Sequence, residues 1–227
     1  MRTLAIGDVH GCLTAFRTLL ENVSIQRDDV VVTLGDYVNK GPDSSGVISH
    51  LLRLKKKCVL IPLRGNHEQM MIEARRSPVK FDEWYQCGGD ATLESYRHTR
   101  DPGRLEDVPG AHWQFLEEEC VDYYETPTHF FVHANAYPSL PLDQQPAYML
   151  RWEKIYNSAP HESKKIMVCG HTSQKTGKIL DIGYAICIDT HPSGGGWLTC
   201  LDVNTRNYWQ TNDAGQVRTG RLKNDDR

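Results

Sequence analysis

The sequence predicts an α/β fold with a helical insert, and three observations support that prediction. Short apolar runs alternate with segments of helical spacing through the first third of the chain. Further short apolar runs, typical of buried strands, recur through the second half. A chain of 227 residues with 39% hydrophobic and 24% charged content can form one sizeable core. Strands that alternate with helices favour a largely parallel sheet with both faces covered.

The alternation is regular over the first 61 residues. Aliphatic and β-branched runs predict strands at residues 4–6, 30–34 and 58–61. Apolar residues three or four positions apart predict helices from Leu13 to Val23 and from Ser44 to Leu54. Each of these strands is followed within four residues by a glycine beside a polar residue, where we expect the chain to turn.

Residues 82–120 are polar, rich in Trp and Tyr and interrupted by Pro102 and Pro109, which predicts a helical insert or cap. Strands are predicted after the insert, and Gly183 between two of them indicates a hairpin. They lie at residues 129–132, 165–169, 179–182, 184–188, 197–203 and 207–210. We assign residues 1–210 to one domain and residues 211–227 to a polar C-terminal tail whose last five residues fray.

Charge and composition exclude several classes of protein. The formal net charge of −3 carries no basic excess, so we expect no nucleic-acid partner. No apolar run approaches the roughly 20 residues that span a bilayer, and Asp8 and His10 interrupt the N-terminus before a signal-peptide core forms. Seven cysteines without a C-x-x-C pair predict free thiols in a reducing compartment, the cytoplasm. The sequence predicts no oligomeric state.

Polar residues of metal-binding type follow five of the predicted strands. In an open α/β sheet, ligands bind beyond the carboxyl ends of the strands, so we expect these side chains to converge. Six oxygen and nitrogen donors without a thiolate suit Mn²⁺ best, with Fe or Zn²⁺ also possible, and exceed what one ion needs. Two divalent ions that share a carboxylate and activate a bridging water are therefore predicted. The clusters are Gly7-Asp8-Val9-His10-Gly11, Gly35-Asp36, Gly65-Asn66-His67-Glu68, Val132-His133-Ala134 and Gly170-His171-Thr172.

The motifs G-D-V-H-G, G-D-Y-V-N-K-G, G-N-H-E, V-H-A and G-H-T resemble those of the calcineurin-like metallophosphoesterases. Within that group they resemble the phosphoprotein phosphatase family and its bacterial members, which include ApaH-like and Rhizobiales-like phosphatases. The resemblance covers roughly residues 3–202. It implies a four-layer fold of two packed β-sheets flanked by helices, with the metals at one sheet edge and residues 1–210 as the catalytic domain.

The resemblance also implies a role for each matching residue. Asp8 and His10 bind the first metal, Asp36 bridges both, and Asn66, His133 and His171 bind the second. His67 acts as the general acid that protonates the leaving group. Arg64 binds phosphate oxygens through its planar fork, although a structural ion pair is the alternative. Arg151, beside Trp152, is the candidate for a second phosphate-binding arginine, at a loose spacing.

The second motif departs from the family pattern G-D-x-V-D-R-G at Asn39 and Lys40. We expect the Asn39 amide to accept a hydrogen bond from His67 without supplying charge, so that the pKa of His67 is lower than beside a carboxylate. Lys40 keeps the positive charge but contacts phosphate at a single point. The departure therefore weakens a serine/threonine assignment and leaves phosphotyrosine or nucleotide substrates open.

The motifs leave three functions to consider. The leading one is hydrolysis of phosphate monoesters, on a phosphorylated protein or peptide or a small phosphoester, by direct attack of a dimetal-bridging hydroxide. The alternative is a dinucleoside polyphosphate hydrolase of the diadenosine tetraphosphate type. A catalytically silent binding protein is the third, which the complete ligand set with His67 argues against. The remaining histidines are predicted to be non-catalytic: His50, His98, His112, His129, His161 and His191.

Overall fold

The computed structural model describes residues 1–97 and 103–223. The expected break at Pro102, the interpretation of His98 and four of the five C-terminal residues predicted to fray, 224–227, lie outside those ranges. Across the described residues the chain forms two mixed β-sheets with helices on their outer faces. No helix within them is long and apolar enough to cross a membrane.

The first sheet contains six strands, and its central part is parallel. Helices α1 (Leu13–Val23) and α2 (Ser44–Leu54) connect β1 (Thr3–Ile6), β2 (Val30–Thr33) and β3 (Val59–Pro62) in parallel. The antiparallel strands β9 (Leu198–Asp202), β10 (Asn207–Thr211) and β11 (Val217–Arg221) extend the sheet beyond β1. The strand order is β11-β10-β9-β1-β2-β3.

The second sheet contains five strands, again with a parallel centre. Its core is formed by β5 (His129–Val132), β6 (Ile166–Cys169) and β8 (Ala185–Cys187). The antiparallel strands β4 (Tyr123–Glu125) and β7 (Leu180–Asp181) close its two edges. The strand order is β4-β5-β6-β8-β7, and β7 and β8 form the predicted hairpin around Gly183.

The two sheets pack face to face through an apolar layer. Ala5 and Val32 of the first sheet join Phe131, Val168 and Ile186 of the second in one buried cluster. Phe16, Leu19 and other residues of α1 and α2 cover the opposite face of the first sheet in a second cluster. This arrangement confirms the α/β fold of two packed sheets flanked by helices. The sheets are parallel only at their centres, because antiparallel strands complete both.

Helices of the insert pack against α2 and α3 (Asn66–Ala74). After α3 come α4 (Pro78–Trp84), α5 (Asp90–Ser95) and α6 (Gly110–Gln114). A kinked turn, Tyr85–Gly89, joins α4 to α5 and contains Gly88 at φ 93°. Between β5 and β6 lies α7 (Ala147–Trp152).

The segment expected to be a polar tail differs from the prediction. Val217–Arg221 pairs with β10 along five residues, so this part of the chain belongs to the first sheet. The strand lies at the sheet edge with most of its residues exposed, which explains its polar composition.

Candidate metal centre

The loops after the strands hold the predicted ligands in uncommon backbone conformations. His10, Asp36 and His171 have φ values of 46°, 53° and 59°, in the left-handed region. Such conformations in residues other than glycine are concentrated at functional sites. The Asp36 carbonyl accepts hydrogen bonds from the backbone N–H of Val9 (3.0 Å) and His10 (2.7 Å), which ties the β2 loop to the β1 loop.

Glu68 fixes the loop that follows β2. Its carboxylate accepts hydrogen bonds from the backbone N–H groups of Asp36 and Tyr37, both at 2.7 Å, and of Gly65 at 2.9 Å. Glu68 is fully buried on the first turn of α3. It therefore orients the loop that carries Asp36 through backbone hydrogen bonds.

Asp36 lies between two sets of histidines. One group contains His10, Asp36 and His67, and the other contains Asp36, His133 and His171; within each group the ligand atoms lie within 4.8 Å of one another. The Oδ2 atom of Asp36 is 3.4 Å from His10 Nε2, and its Oδ1 atom is 3.5 Å from His133 Nε2. One carboxylate thus presents each oxygen to a different set, which fits the predicted bridging role.

Backbone carbonyls orient the histidine rings. The Nδ1 atom of His10 lies 3.0 Å from the carbonyl of Val38, and that of His133 lies 2.7 Å from the carbonyl of Leu34. Because a carbonyl can only accept, these nitrogens carry the proton, and each Nε2 lone pair points towards Asp36. His171 is held the other way round, with Nε2 at 2.9 Å from the carbonyl of Trp152.

Asn66 completes the second set. Its Oδ1 atom lies 3.0 Å from His133 Nε2 and 3.1 Å from His171 Nδ1. Both nitrogens are the ones that the backbone contacts leave without a proton, so three acceptors face one another. A cation between them satisfies this arrangement, and the donor set of these residues therefore fits a metal ion.

Asp8 adds a carboxylate from the first sheet. It accepts hydrogen bonds from the backbone N–H of His171 at 3.1 and 3.2 Å, and a Cβ at Gly170 would overlap its carboxylate. Burial, with the charges of Asp189 and Asp36, raises the pKa of Asp8. Bound cations would compensate the negative charge of these buried carboxylates.

His10 and His171 are neutral at neutral pH, as metal binding requires. Burial lowers the pKa of His10 to about 3, and burial together with His133 lowers the pKa of His171 to about 3. Burial works to raise the pKa of Asp36, but the neighbouring histidines, His133 first, hold it well below its ordinary value. Asp36 is therefore ionised while the rings keep their lone pairs.

Asn39 contacts His67 in the orientation opposite to the one expected. Its Nδ2 atom lies 2.9 Å from His67 Nδ1, while its Oδ1 atom accepts hydrogen bonds from Trp84 Nε1 (2.9 Å) and Thr92 Oγ1 (3.0 Å). The expectation that the amide accepts from His67 is thus wrong: the amide donates, because two donors of the insert occupy its oxygen. Burial lowers the pKa of His67 to about 4.

Two lysines lie near the centre, and only one of them was predicted from the sequence. Lys40 was predicted, and its Nζ atom lies 2.9 Å from His10 Nε2. Lys154 was not predicted; its exposed side chain donates to the carbonyl of His171 at 3.1 Å. Its charge also lowers the pKa of His67, after the larger effect of burial. The only sequence signal for Lys154 is its position three residues after Arg151.

The two arginines predicted to bind phosphate have other partners. The Nη2 atom of Arg64 donates to the backbone carbonyls of Glu117 at 2.7 Å and Cys120 at 3.4 Å, and these partners are not the ion pair that was given as the alternative. Arg151 forms an ion pair with Asp122 and donates to Gln69 Oε1 at 2.9 Å. The guanidinium group of Arg151 is held by side chains of the protein, whereas the buried Nε atom of Arg64 has no partner among the described residues, so the phosphate-binding roles stay predictions.

Comparison with known proteins decides the family. The sequence profile of the calcineurin-like phosphoesterases matches residues 1–193. The chain belongs to the calcineurin-like phosphoesterases. This phosphoesterase is accordingly a phosphoric ester hydrolase, and the family uses a two-metal site of the kind that the His and Asp groups around Asp36 provide.

Relatives of the phosphoesterase include more than one kind of phosphatase. It is 35% identical to serine/threonine-protein phosphatase 1 of Salmonella typhimurium over 206 residues, 87% of this chain and 90% of that protein. It is 34% identical to the symmetrical bis(5'-nucleosyl)-tetraphosphatase of Wigglesworthia glossinidia brevipalpis over 64 residues, 28% of this chain and 23% of that protein. A solved cold-active protein tyrosine phosphatase shares its fold, with a TM-score of 0.62 at 18% identity over 96% of this chain and 78% of that one.

Sequence reasoning missed one acidic residue of the phosphoesterase. Asp189 is 3% exposed and acts electrostatically on Asp8. It lies two residues beyond β8, so an acid at a sixth strand end was the available signal. His191, predicted to be non-catalytic, lies close by with Nδ1 at 2.8 Å from Ser173 Oγ.

Proposed function

We propose that this phosphoesterase hydrolyses phosphate monoesters, on a phosphorylated protein or peptide or on a small phosphoester. The observation that carries the proposal is the position of Asp36 between two sets of histidines, which is suited to two adjacent cations. The similarity to a serine/threonine-protein phosphatase over 90% of that protein supports this substrate class.

Six side chains would hold the ions. Asp8 and His10 serve the first, Asn66, His133 and His171 the second, and Asp36 both. The mixed oxygen and nitrogen donors favour Mn²⁺, with Fe or Zn²⁺ as alternatives. When bound, such ions polarise phosphoryl oxygens and make a water molecule nucleophilic at neutral pH.

The remaining groups act on the substrate. His67 lies with Nε2 3.9 Å from Asp36 Oδ2, so it borders the centre and contacts the leaving oxygen. Lys40 and Lys154 flank the two histidine sets and attract the phosphoryl oxygens. They supply positive charge next to His10 and His171, whereas Arg151 is paired with Asp122.

The test is metal analysis combined with a substrate panel. Wild-type protein and the Asp36→Asn variant would be assayed with p-nitrophenyl phosphate, phosphopeptides and diadenosine tetraphosphate after loading with Mn²⁺. We expect two ions per wild-type chain, hydrolysis of the monoesters, and loss of both properties in the variant. Binding of no divalent ion, or metal-loaded protein that hydrolyses none of the panel, would refute the proposal.

The second candidate is a dinucleoside polyphosphate hydrolase. It is favoured by the similarity to a symmetrical bis(5'-nucleosyl)-tetraphosphatase and by Trp152, whose side chain is 38% exposed and whose backbone carbonyl contacts His171. Faster turnover of diadenosine tetraphosphate than of every monoester would select this alternative.

A cytoplasmic location stays a prediction. All seven cysteines are free thiols, which supports a reducing compartment.

A further inference from the structure

His171 lies at the centre of a three-residue turn that follows β6, named here the His171 turn (residues 170–172). The N–H of Thr172 donates to the carbonyl of Gly170 at 2.6 Å, and His171 between them has φ 59°. A hydrogen bond between residues i and i+2 that closes around a positive φ defines the rare and strained kind of γ-turn. Such strain persists only where the surrounding structure holds the backbone in place.

One buried thiol contacts the carbonyls at both ends of the His171 turn. The Sγ atom of Cys187, the last residue of β8, lies 3.3 Å from the carbonyl oxygen of Gly170 and 3.4 Å from that of Thr172. Because a carbonyl can only accept, the thiol is the donor, and the two oxygens share its proton. Cys187 is 0% exposed, and Gly170 and Thr172 are buried as well, so bulk water does not replace these hydrogen bonds.

Gln174 holds the last residue of the same turn. Its Nε2 atom donates to the carbonyl of Thr172 at 2.6 Å and lies 4.0 Å from the sulfur of Cys187. Its own backbone N–H donates to the carbonyl of Asp189 at 2.8 Å. Gln174 is therefore fixed against the segment that follows β8, and its side chain contacts the turn together with the thiol.

Two backbone N–H groups of the His171 turn donate to proposed metal ligands. The N–H of Gly170 donates to the carbonyl of His133 at 2.8 Å, and that of His171 donates to the carboxylate of Asp8. The Nδ1 atom of His171 lies 3.1 Å from Asn66 Oδ1. A small displacement of the turn would therefore move the imidazole ring relative to Asn66 and His133, the other two proposed ligands of the second ion.

We propose that Cys187 and Gln174 clamp the strained His171 turn and thereby determine how tightly the second ion binds. The inference rests on the proposed function, which assigns that ion to Asn66, His133 and His171 together with the bridging carboxylate. Cys187 and Gln174 are positioning residues, since both act on the ion only through the backbone beside His171. Neither belongs to a metal-binding motif; β8 brings the thiol to the turn because it pairs in parallel with β6, which leads into the turn.

The clamp acts by pre-organisation. A histidine seldom adopts the left-handed conformation by itself, so without its donors the turn would relax towards negative φ and the ring would leave its position. The apparent Kd of an ion rises as the fraction of molecules with a competent site falls. A variant in which about one molecule in ten keeps the turn would therefore bind the second ion with an about tenfold higher Kd.

The first test is a titration with Mn²⁺ in competition with a metal-binding dye. The position whose Kd rises in His171→Ala is the second one. Cys187→Ala removes the thiol donor and Gln174→Leu removes the amide, so each should raise that Kd about tenfold, the lower range for a residue that supports a metal ligand, and leave the other Kd unchanged. Cys187→Ser keeps a hydrogen-bond donor at this position, so its Kd should stay within about twofold of the wild-type value.

Cys200→Ala is the matched control. Cys200 is also 0% exposed, but it lies on β9, where it pairs with Ile6 and Trp209, so the same side-chain atom is lost at a different place. Its stability should fall as that of Cys187→Ala does, with both Kd values unchanged. An unchanged second Kd in Cys187→Ala would overturn the inference. So would a Cys187→Ser variant that binds as weakly as Cys187→Ala, since packing and not the donor would then be the cause.

Hydrogen exchange tests the clamp without metal. The Thr172 amide closes the His171 turn, so in metal-free protein its exchange, relative to the amides of β6, should be about tenfold faster in Cys187→Ala and unchanged in Cys200→Ala. Equal exchange in wild type and Cys187→Ala would overturn the inference even if metal content and turnover supported the proposed function. A wild type that binds no divalent ion would refute the proposed function and the effect on ion affinity, whereas the exchange rates would still establish or overturn the clamp.

Discussion

Gly88 and Lys40 are joined through their backbones: the N–H of Lys40 donates to the carbonyl of Gly88 at 3.1 Å, and a Cβ on Gly88 would lie 2.7 Å from that nitrogen. Gly88 has φ +93°, which other residues rarely adopt. The contact brings the kinked turn of the insert against the two residues at which the second motif departs from its family. The insert therefore takes part in shaping the centre.

Gly88→Ala should displace this contact. A side chain would impose both a strained φ and a clash, at a cost of roughly 1–3 kcal/mol in the free energy of unfolding. Turnover should fall as well, since Lys40 shifts. Gly110→Ala is the matched control, because nothing lies within 4 Å of its added Cβ. Urea denaturation would measure both variants, and equal midpoints would contradict the prediction.

Removal of metal should destabilise the whole fold. The proposed ligands come from both sheets, with Asp8, His10, Asp36 and Asn66 on one side and His133 and His171 on the other. Chelation leaves buried carboxylates without a cation, and added Mn²⁺ at 100 times its Kd should restore about 2.7 kcal/mol for each ion bound. Thermal melts with and without Mn²⁺ would show this shift. Asp36→Asn should melt at the same temperature in both conditions.

His67→Ala should keep its metal and lose turnover. A hydrogen-bond donor at a developing negative charge contributes about 10²–10³-fold to the rate, so a loss of that size is expected on every substrate. Metal analysis and steady-state kinetics would be run together. His50→Ala, which removes a half-buried histidine bonded to the carbonyl of Gly46, serves as the control. Activity unchanged in His67→Ala would remove this residue from the mechanism.

His112 should make stability depend on pH. It is buried with Nδ1 2.9 Å from Tyr96 Oη and Nε2 3.2 Å from Ser49 Oγ, and burial lowers its pKa. The unfolded chain therefore takes up the proton first, so the stabilisation is complete above about pH 6.5 and declines as the pH falls below it. His112→Gln should flatten this decline by at most about 1.4 kcal/mol per pH unit. Urea midpoints at pH 7.5 and 5.5 would test it, and equal slopes for variant and wild type would count against it.

Much of the fold follows from local patterns. Leu13–Val23, Ser44–Leu54 and His129–Val132 have the bounds predicted from apolar spacing, because each buries one face or both against a sheet. The edge strand Val217–Arg221 lacks such a pattern, since it is solvated along most of its length. The packing of two sheets came from the family resemblance and not from periodicity.

The candidate site was likewise predictable only in part. Polar residues at strand ends mark the centre because sheet topology alone brings them together. The direction of the Asn39 amide depends on Trp84, 45 residues away, and no local pattern encodes it. Long side chains such as those of Arg64 and Lys154 reach partners that only the packed structure defines.

The pairing of β1 with β9 affects how the protein can be made. Leu4, Ala5 and Ile6 face residues 202, 201 and 200, and the N–H and carbonyl of Ala15 bond to Asp213 and Thr211. The strand that leads into Asp8 and His10 is translated before β9, and one of its edges has no partner until about 200 further residues have been translated. Until then that open edge is available for mispairing, and the nascent chain depends on whatever shields it.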